Sequence, residues 1–238
     1  MILREVKSDV MVMGGISKIG SYHKKNQDSF LCKSYNDGVI LVVSDGMGSK
    51  SLSHYGSRCL CESVYDVISK CSYDIDIISF KDVIFACHEE WKKRLKEFDL
   101  SQCYATMLIA VIRKNNIKVA RLGDGFLSVY IDNKIYCLYD KKDSYFANET
   151  DCVREVLDRD KIEIGEFDYQ LFHGAIACTD GIEIGTMQEE ELINFTREFV
   201  EEYSNRENAE VVLKVEQWID DWPGADDKTL AFVIEGEK

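Results

Sequence analysis

The chain has 238 residues, of which 43 are Asp or Glu and 29 are Lys or Arg, so its formal net charge is −14. This acidic balance argues against nucleic acid as a partner, because nucleic-acid binding rests on Lys and Arg neutralising phosphates, and it disfavours an anionic membrane surface for the same reason. The contents of hydrophobic residues (45%) and aromatic residues (11%) exclude a disordered chain and predict one folded domain over residues 1–238.

We expect the protein to stay in the cytoplasm. Its longest apolar runs, such as residues 39–43 and 107–112, are far shorter than the ~20 residues that cross a bilayer. Arg4, Glu5 and Lys7 interrupt the stretch where a signal peptide requires an unbroken apolar run. The nine cysteines include no CxxC pair, which favours reduced, buried thiols over disulfides or a zinc site.

The N-terminal half reads as a block of strands followed by two helices. Short apolar runs separated by polar or Gly-containing turns predict strands at 10–17, 29–34 and 39–44. Apolar residues then recur with the spacing of one helical face over 52–71 and again over 80–98.

The C-terminal half begins with strands at 104–112, 117–122, 126–131 and 134–138, with Asp132-Asn133 as a hairpin turn. Residues 140–173 are less regular. A strand at 175–179, helices at 192–203 and 211–219 and a last strand at 229–234 follow, and Trp218 and Trp222 are expected to anchor the core. Strands in runs with helices in pairs favour an α+β protein with antiparallel sheets.

Aspartates recur at the ends of the apolar strands. Asp45, Asp124 and Asp180 each follow a strand and precede a glycine, Asp28 opens a strand, and Asp226 or its neighbour Asp227 precedes the last one. A single Asp-Gly pair is most often an ordinary turn. Several carboxylates that converge repel one another unless a cation lies among them, and an oxygen-only ligand set is typical of Mg²⁺ or Mn²⁺.

The order of these segments resembles the type 2C metal-dependent serine/threonine protein phosphatases, specifically their compact bacterial branch. The resemblance implies a four-layer αββα sandwich, with two central antiparallel sheets flanked by helix pairs. The matching segments are GSYHKKNQDSF (20–30), LVVSDGMGSKSLSHYGS (41–57), CYATMLIAVI (103–112), VARLGDGFLSVYI (119–131), AIACTDGIEIG (175–185) and DDKTLAFVI (226–234).

The resemblance also implies roles for individual residues. Asp45 would bridge two metal ions, and the Gly46 carbonyl would be a further ligand. Asp180 and Asp226 would complete the first metal's ligands, with Asp226 preferred over Asp227 because the family's ligand stands three residues before the Thr at position 229. Asp124 would share a third, weaker site with Asp180. Asp28 would hold metal-bound water, and catalysis would involve Asp28, Asp45 and His23.

The implied activity is Mg²⁺- or Mn²⁺-dependent hydrolysis of phosphoserine or phosphothreonine in a protein by a water between two metals. The expected partner is a phosphorylated protein, a serine/threonine kinase or its target, and the expected state is a monomer. The alternative is a weak or inactive pseudophosphatase that uses the same fold as a regulatory binding module.

Some positions depart from the family pattern. His23 stands where many members have an arginine that grips phosphate; it can bind phosphate, act as an acid or simply pack. Gln27 replaces a common Glu, Gly125 a usual Ser, and Met47 a histidine found in some relatives. His54 is a second candidate acid, although a surface histidine near a helix start is the more ordinary interpretation. Because every expected carboxylate is present, these changes favour a sub-branch over an inactive enzyme.

Overall fold

The computed structural model of the protein describes residues 11–36, 38–71, 78–140 and 150–236. Within these residues the strands are β1 (Met11–Lys18), β2 (Ser29–Tyr35), β3 (Gly38–Ser44), β4 (Met107–Arg113), β5 (Asn116–Leu122), β6 (Phe126–Ile131), β7 (Lys134–Leu138), β8 (Glu163–Asp168), β9 (Phe172–Cys178) and β10 (Lys228–Glu235). The α-helices are α1 (Ser53–Lys70), α2 (Phe80–Arg94), α3 (Glu189–Tyr203) and α4 (Asn208–Asp220). None of the helices in this part of the chain is long and apolar enough to cross a lipid bilayer.

The strands form two five-stranded sheets in which every pairing is antiparallel. One sheet has the order β1-β10-β9-β6-β7 and the other β2-β3-β4-β5-β8. Helices α1 and α2 cover the outer face of the second sheet, and α3 and α4 cover the first. The predicted α+β sandwich with four layers is therefore confirmed.

Alternation along the strands explains why both faces of each sheet are apolar. In β3, Val39, Leu41 and Val43 pack between the two sheets, whereas Ile40 and Val42 point to the helices α1 and α2. Successive side chains of a strand point to opposite faces, so a strand that is covered on both sides reads as a continuous apolar run. The run at 39–43 is such a strand.

The hairpin between β6 and β7 forms at the predicted turn. Asp132 and Asn133 both have positive φ values, 44° and 62°, and Ile131 pairs with Lys134. Two consecutive left-handed residues are the signature of a type I′ turn, which matches the twist of the flanking strands.

The stretch predicted to be irregular, 140–173, contains a strand that the pattern did not reveal. Strand β8 pairs with β5 at the edge of its sheet, and its side chains are half-buried or exposed. An edge strand in which Glu163, Glu166 and Asp168 are exposed carries little hydrophobic signal. Residues 141–149 of that stretch lie outside the described residues, as does residue 10 of the first predicted strand.

Other predicted boundaries shift by a few residues. Strand β4 begins at Met107 instead of 104, because Ala105 forms isolated bridges with Gly46 and Val153. Helix α2 ends at Arg94, before the predicted residue 98.

Candidate active site

Asp45 lies at the first residue after β3, where β3 and β4 stop pairing. The backbone N–H of Asp45 donates to Oγ1 of Thr106 at 2.9 Å, and the N–H of Thr106 donates to the Asp45 carbonyl at 2.7 Å. The Ser44 hydroxyl donates to the Thr106 carbonyl at 2.7 Å. This reciprocal set of bonds fixes the backbone of Asp45 and aims its side chain at the end of the sandwich.

Gly46 fits a position that has no room for a side chain. A Cβ at this residue would lie 2.7 Å from the Gln27 carbonyl oxygen and 2.8 Å from the backbone of Ser53. The Gly46 N–H donates to the same Gln27 carbonyl at 3.1 Å, and the Ser57 hydroxyl donates to it at 2.5 Å. The loop that follows Asp45 is thus pressed against the chain before β2 and the start of α1.

Asp124 and Asp180 reach the same place from two other loops. Asp124 lies between β5 and β6, next to Gly123, whose φ of +120° is open to glycine but strained for other residues. The Thr150 hydroxyl donates to Oδ2 of Asp124 at 2.7 Å. Asp180 follows β9, and a Cβ on Gly181 would lie 1.9 Å from the Asp227 carbonyl oxygen. Both loops are therefore closely packed around their aspartates.

The side chains of Asp45, Asp124 and Asp180 converge. One carboxylate oxygen from each lies within 4.8 Å of the others. They line a pocket of about 200 Å³, and its remaining lining is His23, Gly46, Met47, Gly48, Thr106, Thr150 and Asp226. Two sheets that meet at one edge bring together residues that are more than a hundred positions apart in the chain.

The charged forms of Asp45 and Asp180 are disfavoured in this pocket. Burial raises the pKa of Asp45 well above its usual range, and the charges of Asp28, Asp180 and Asp124 raise it further. Burial, followed by the charge of Asp124, raises the pKa of Asp180 to about 6. Water solvates a buried carboxylate poorly, and a second carboxylate beside it repels the charged form, so both effects favour the protonated acid.

Asp28 lies directly before β2 and is 8% exposed. Burial raises its pKa to about 7, although hydrogen bonds from Thr229 and Thr179 lower it. The Thr179 hydroxyl donates to Oδ2 of Asp28 at 2.8 Å. Asp28 therefore lies beside Asp45 as a buried carboxyl group whose charged form is disfavoured.

Asp226 and Asp227 have different environments. The carboxylate of Asp227 is buried and accepts the backbone N–H groups of Gly20 and Gln27 at 2.7 and 2.6 Å. The side chain of Asp226 is 53% exposed and lines the pocket. Nδ1 of His23 lies 3.0 Å from Asp227 and 3.5 Å from Asp226. Asp227 thus has a structural role in the loop, whereas Asp226 is available at the pocket.

The pocket fits a divalent cation. Oδ1 of Asp28, Oδ1 of Asp124 and Oε1 of Gln27 are buried and have no hydrogen-bond partner among the described residues. Buried oxygens without partners are costly, and a cation satisfies several of them at once. The ligands on offer are oxygens, which Mg²⁺ and Mn²⁺ prefer.

The structure brings most of the predicted site residues to one pocket. Asp45, Asp124 and Asp180 form the carboxylate cluster, and the side chain of Asp226 lies on the same pocket beside His23, outside the tight cluster. Thr106 and Thr150, which bond to Asp45 and Asp124, were not among the predicted site residues. Thr106 lies within the matching segment 103–112, directly before β4, and this position could have identified it as a site residue. No local sequence pattern identifies Thr150 as one.

Comparisons with known proteins agree with this arrangement. A sequence profile described as protein phosphatase 2C matches residues 20–222, a range that includes Asp28, Asp45, Asp124 and Asp180 and ends before Asp226. No curated protein sequence matches the chain significantly.

Several solved structures share the fold. A bacterial serine phosphatase is 14% identical with a TM-score of 0.67, over 96% of this chain and 100% of that chain. PppA of Pseudomonas aeruginosa, described as a key regulatory component of T6SS, is 17% identical with a TM-score of 0.67, over 94% and 97%. The catalytic domain of the serine/threonine protein phosphatase PstP, solved with two manganese ions, is 14% identical with a TM-score of 0.65, over 95% and 99%. Since the profile match spans most of the chain and the fold agrees with it, the chain belongs to the protein phosphatase 2C family.

Proposed function

We propose that this protein is a Mg²⁺- or Mn²⁺-dependent phosphatase that hydrolyses phosphoserine or phosphothreonine in a protein and so opposes a serine/threonine kinase. The observation that carries the proposal is the convergence of Asp45, Asp124 and Asp180 within 4.8 Å in a pocket that Asp226 also lines. The single domain over residues 1–238, the monomeric state and the cytoplasmic location stay predictions.

The chain's own residues would hold two cations and a weaker third. Asp45 would contact both of the first two, with the Gly46 carbonyl, Asp180 and Asp226 as further ligands, and Asp124 would share the third with Asp180. Such cations, when bound, lower the pKa of a water molecule and neutralise charge on phosphoryl oxygens, which is the chemistry that hydrolysis of a phosphate ester requires.

Several residues around the cluster would orient the ligands and the ordered water. Asp28 and Gln27 have buried oxygens without protein partners and would accept hydrogen bonds from ordered water. Thr106 and Thr150 would keep Asp45 and Asp124 from turning away from the pocket. Hydrogen-bonding groups that are fixed in this way favour one orientation of the reacting groups, which lowers the entropy cost of the reaction.

His23 would contact the phosphoryl group of the substrate. Its Nδ1 faces Asp227 and Asp226, and Nε2 lies beside Gly48, where a Cβ would be 3.6 Å away. Only a protonated imidazole carries an N–H on both nitrogens, so it is the imidazolium form of His23 that would donate from Nε2 to a phosphoryl oxygen or to the leaving oxygen. A histidine cannot make the bidentate pair of hydrogen bonds with which an arginine guanidinium binds phosphate.

A larger cavity next to the pocket would receive the rest of the substrate. It measures about 330 Å³, shares Asp124, Thr150 and Asp180 with the pocket, and carries the cations Arg121 and Lys161. Arg121 and Lys161 already pair with Glu163 and Asp151. The lining also contains five acidic residues, so the cavity is net negative and would disfavour a strongly acidic peptide.

Hydrolysis of p-nitrophenyl phosphate and of a phosphothreonine peptide tests the proposal. Turnover should require Mn²⁺ or Mg²⁺, stop with EDTA, and fall by about two orders of magnitude or more in Asp45→Asn, because that residue is common to both proposed ions. Glu189→Gln, a surface change on α3, is the matched control and should leave turnover unchanged.

A pseudophosphatase is the second candidate, favoured by His23 and Gln27 in place of the family's usual arginine and glutamate. It predicts no turnover with any divalent metal at high protein concentration. The phosphatase proposal is wrong if purified, folded protein neither hydrolyses these substrates nor binds Mn²⁺ in calorimetry. Binding of Mn²⁺ without turnover would favour the pseudophosphatase.

A further inference from the structure

A groove between α3 and α4, on the outer face of the sandwich, is lined by aromatic side chains. Its volume is about 630 Å³, within the range of about 300–1,000 Å³ that ligand pockets occupy. The aromatic lining consists of Phe195, Phe199, Tyr203, Trp218 and Trp222. The first three are spaced by four residues along α3 and so fall on one helical face. Trp218 belongs to α4, and Trp222 lies two residues beyond the end of that helix.

The aromatic rings are held in place by their neighbours. Phe199 and Tyr203 are buried, and the ring of Phe199 lies 5.5 Å from that of Phe232 in β10. The ring centroid of Trp218 lies 6.5 Å from that of Phe195. The Trp218 ring centroid lies 5.1 Å from that of Trp222. Trp218 and Trp222, which were expected to anchor the core, are half-buried: they pack against the buried cluster beneath α3 and α4 and also form the wall of the groove.

Glutamates complete the lining of the groove. Glu198, Glu201 and Glu202 all line it from α3 and are exposed. Glu202 pairs with Arg206 at 2.6 Å, but within the part of the chain that the structure describes Glu198 and Glu201 form no ion pair. Aromatic faces beside unpaired carboxylates attract a cation that also has apolar surface, through both the ring quadrupole and the charge.

We propose that the α3–α4 groove binds a basic, partly apolar segment of a partner protein, with an Arg or Lys side chain against Trp218 and Trp222 and its charge next to Glu198 and Glu201. Arg fits best, because a planar guanidinium stacks on an indole and pairs with a carboxylate at the same time. A second copy of the chain is disfavoured, since two molecules with net charges of −14 and glutamate-lined grooves repel. An anionic membrane is disfavoured by the same charge.

Binding of two short capped peptides to the full chain tests the proposal. One contains leucines and arginines, and the other contains leucines and glutamates in the same order. At near-physiological salt, where charges farther apart than about 8 Å are screened, the arginine peptide should bind at least about tenfold more tightly and change the tryptophan fluorescence. The proposal does not depend on phosphatase activity, which is measured separately.

Paired variants separate the groove from the general negative charge. Glu198→Gln with Glu201→Gln should weaken binding of the arginine peptide by about tenfold, and Trp222→Leu by a similar factor. Glu189→Gln with Glu190→Gln removes the same charge from the same helix outside the groove and should change binding by less than about twofold. Urea unfolding verifies that all three variants are folded.

Three results would overturn the proposal. The glutamate peptide could bind as tightly as the arginine peptide, or the two glutamine pairs could weaken binding equally, which would leave only bulk charge. Analytical ultracentrifugation could instead reveal a dimer of the chain that Trp222→Leu dissociates, which would make a second copy the occupant of the groove.

Discussion

The buried, ionised side chain of Asp28 destabilises the metal-free protein. Its pKa is raised to about 7 by burial, against about 3.9 for an aspartate in an unfolded chain. Between these two values the unfolded state releases a proton that the folded state keeps. The free energy of unfolding of the metal-free protein therefore loses this contribution as pH rises from about 4 to 7.

We expect Asp28→Asn to remove this decrease in the free energy of unfolding with rising pH. In EDTA, the stability difference between Asp28→Asn and the natural chain should be small near pH 4, grow to a few kcal/mol by about pH 7 and then stay constant. Asn keeps an oxygen that can accept the Thr179 hydroxyl. Urea unfolding at a series of pH values measures the difference, with Asp160→Asn, an exposed residue that lines neither the pocket nor the cavity beside it, as the control. A difference that shrinks with rising pH would contradict the assignment.

At this scale, the sequence reveals which aspartates stand at strand ends but not how they meet. Asp45, Asp124 and Asp180 are recognisable from apolar runs that end in Asp-Gly. The difference between Asp226 and Asp227 depends on which carboxylate meets the N–H groups of Gly20 and Gln27. That contact joins residues about two hundred positions apart, so no local pattern contains it; the preference for Asp226 came from family spacing.

At the scale of elements, α1 is packed against the chain that leads to β4. A Cβ on Gly56 would lie 1.8 Å from the Cys103 carbonyl oxygen, and the Trp91 indole of α2 donates to the Gly56 carbonyl at 3.0 Å. The start of α1 in turn crowds Gly46, beside Asp45. The glycine thus sets the distance between the helix pair and the candidate active site.

We expect Gly56→Ala to destabilise the protein by about 2 kcal/mol or more, because backbone atoms must move to admit the methyl group. In an unobstructed helix the same change stabilises by about 1 kcal/mol, so the sign of the effect is the test. Chemical unfolding gives the value. Ser69→Ala, on the same helix, should change stability by less than about 0.5 kcal/mol. A stabilised Gly56→Ala would mean that α1 is not packed this closely.

Strands and helices were predictable to different degrees for physical reasons. Strands buried on both faces, such as β3, give continuous apolar runs, and the helices give a clear period. Strand β8 escaped prediction because it lies at an edge, with glutamates on its exposed positions. The pairing of β8 with β5 is seen only in the three-dimensional structure.

At the scale of the whole molecule, a small part of the acidic charge lies in the pocket at one edge of the sandwich. The carboxylates of Asp45, Asp124 and Asp180 repel one another in the metal-free protein and attract cations. Asp180→Asn should therefore act in opposite directions: it should stabilise the protein in EDTA, since one repelling charge is removed, and reduce the stabilisation that Mn²⁺ provides.

The natural chain should gain stability with Mn²⁺ by mass action, about 2.7 kcal/mol at a concentration of one hundred times the dissociation constant. NaCl at equal ionic strength should give much less, because screening weakens surface repulsion but does not supply a ligand to buried oxygens. Thermal unfolding in EDTA, NaCl and Mn²⁺ compares the three conditions, with Glu189→Gln as a charge-matched control that should follow the natural chain. If NaCl stabilised the protein as much as Mn²⁺, or if Asp180→Asn kept the full gain from Mn²⁺, the acidic pocket would be a region of ordinary charge repulsion and not a metal site.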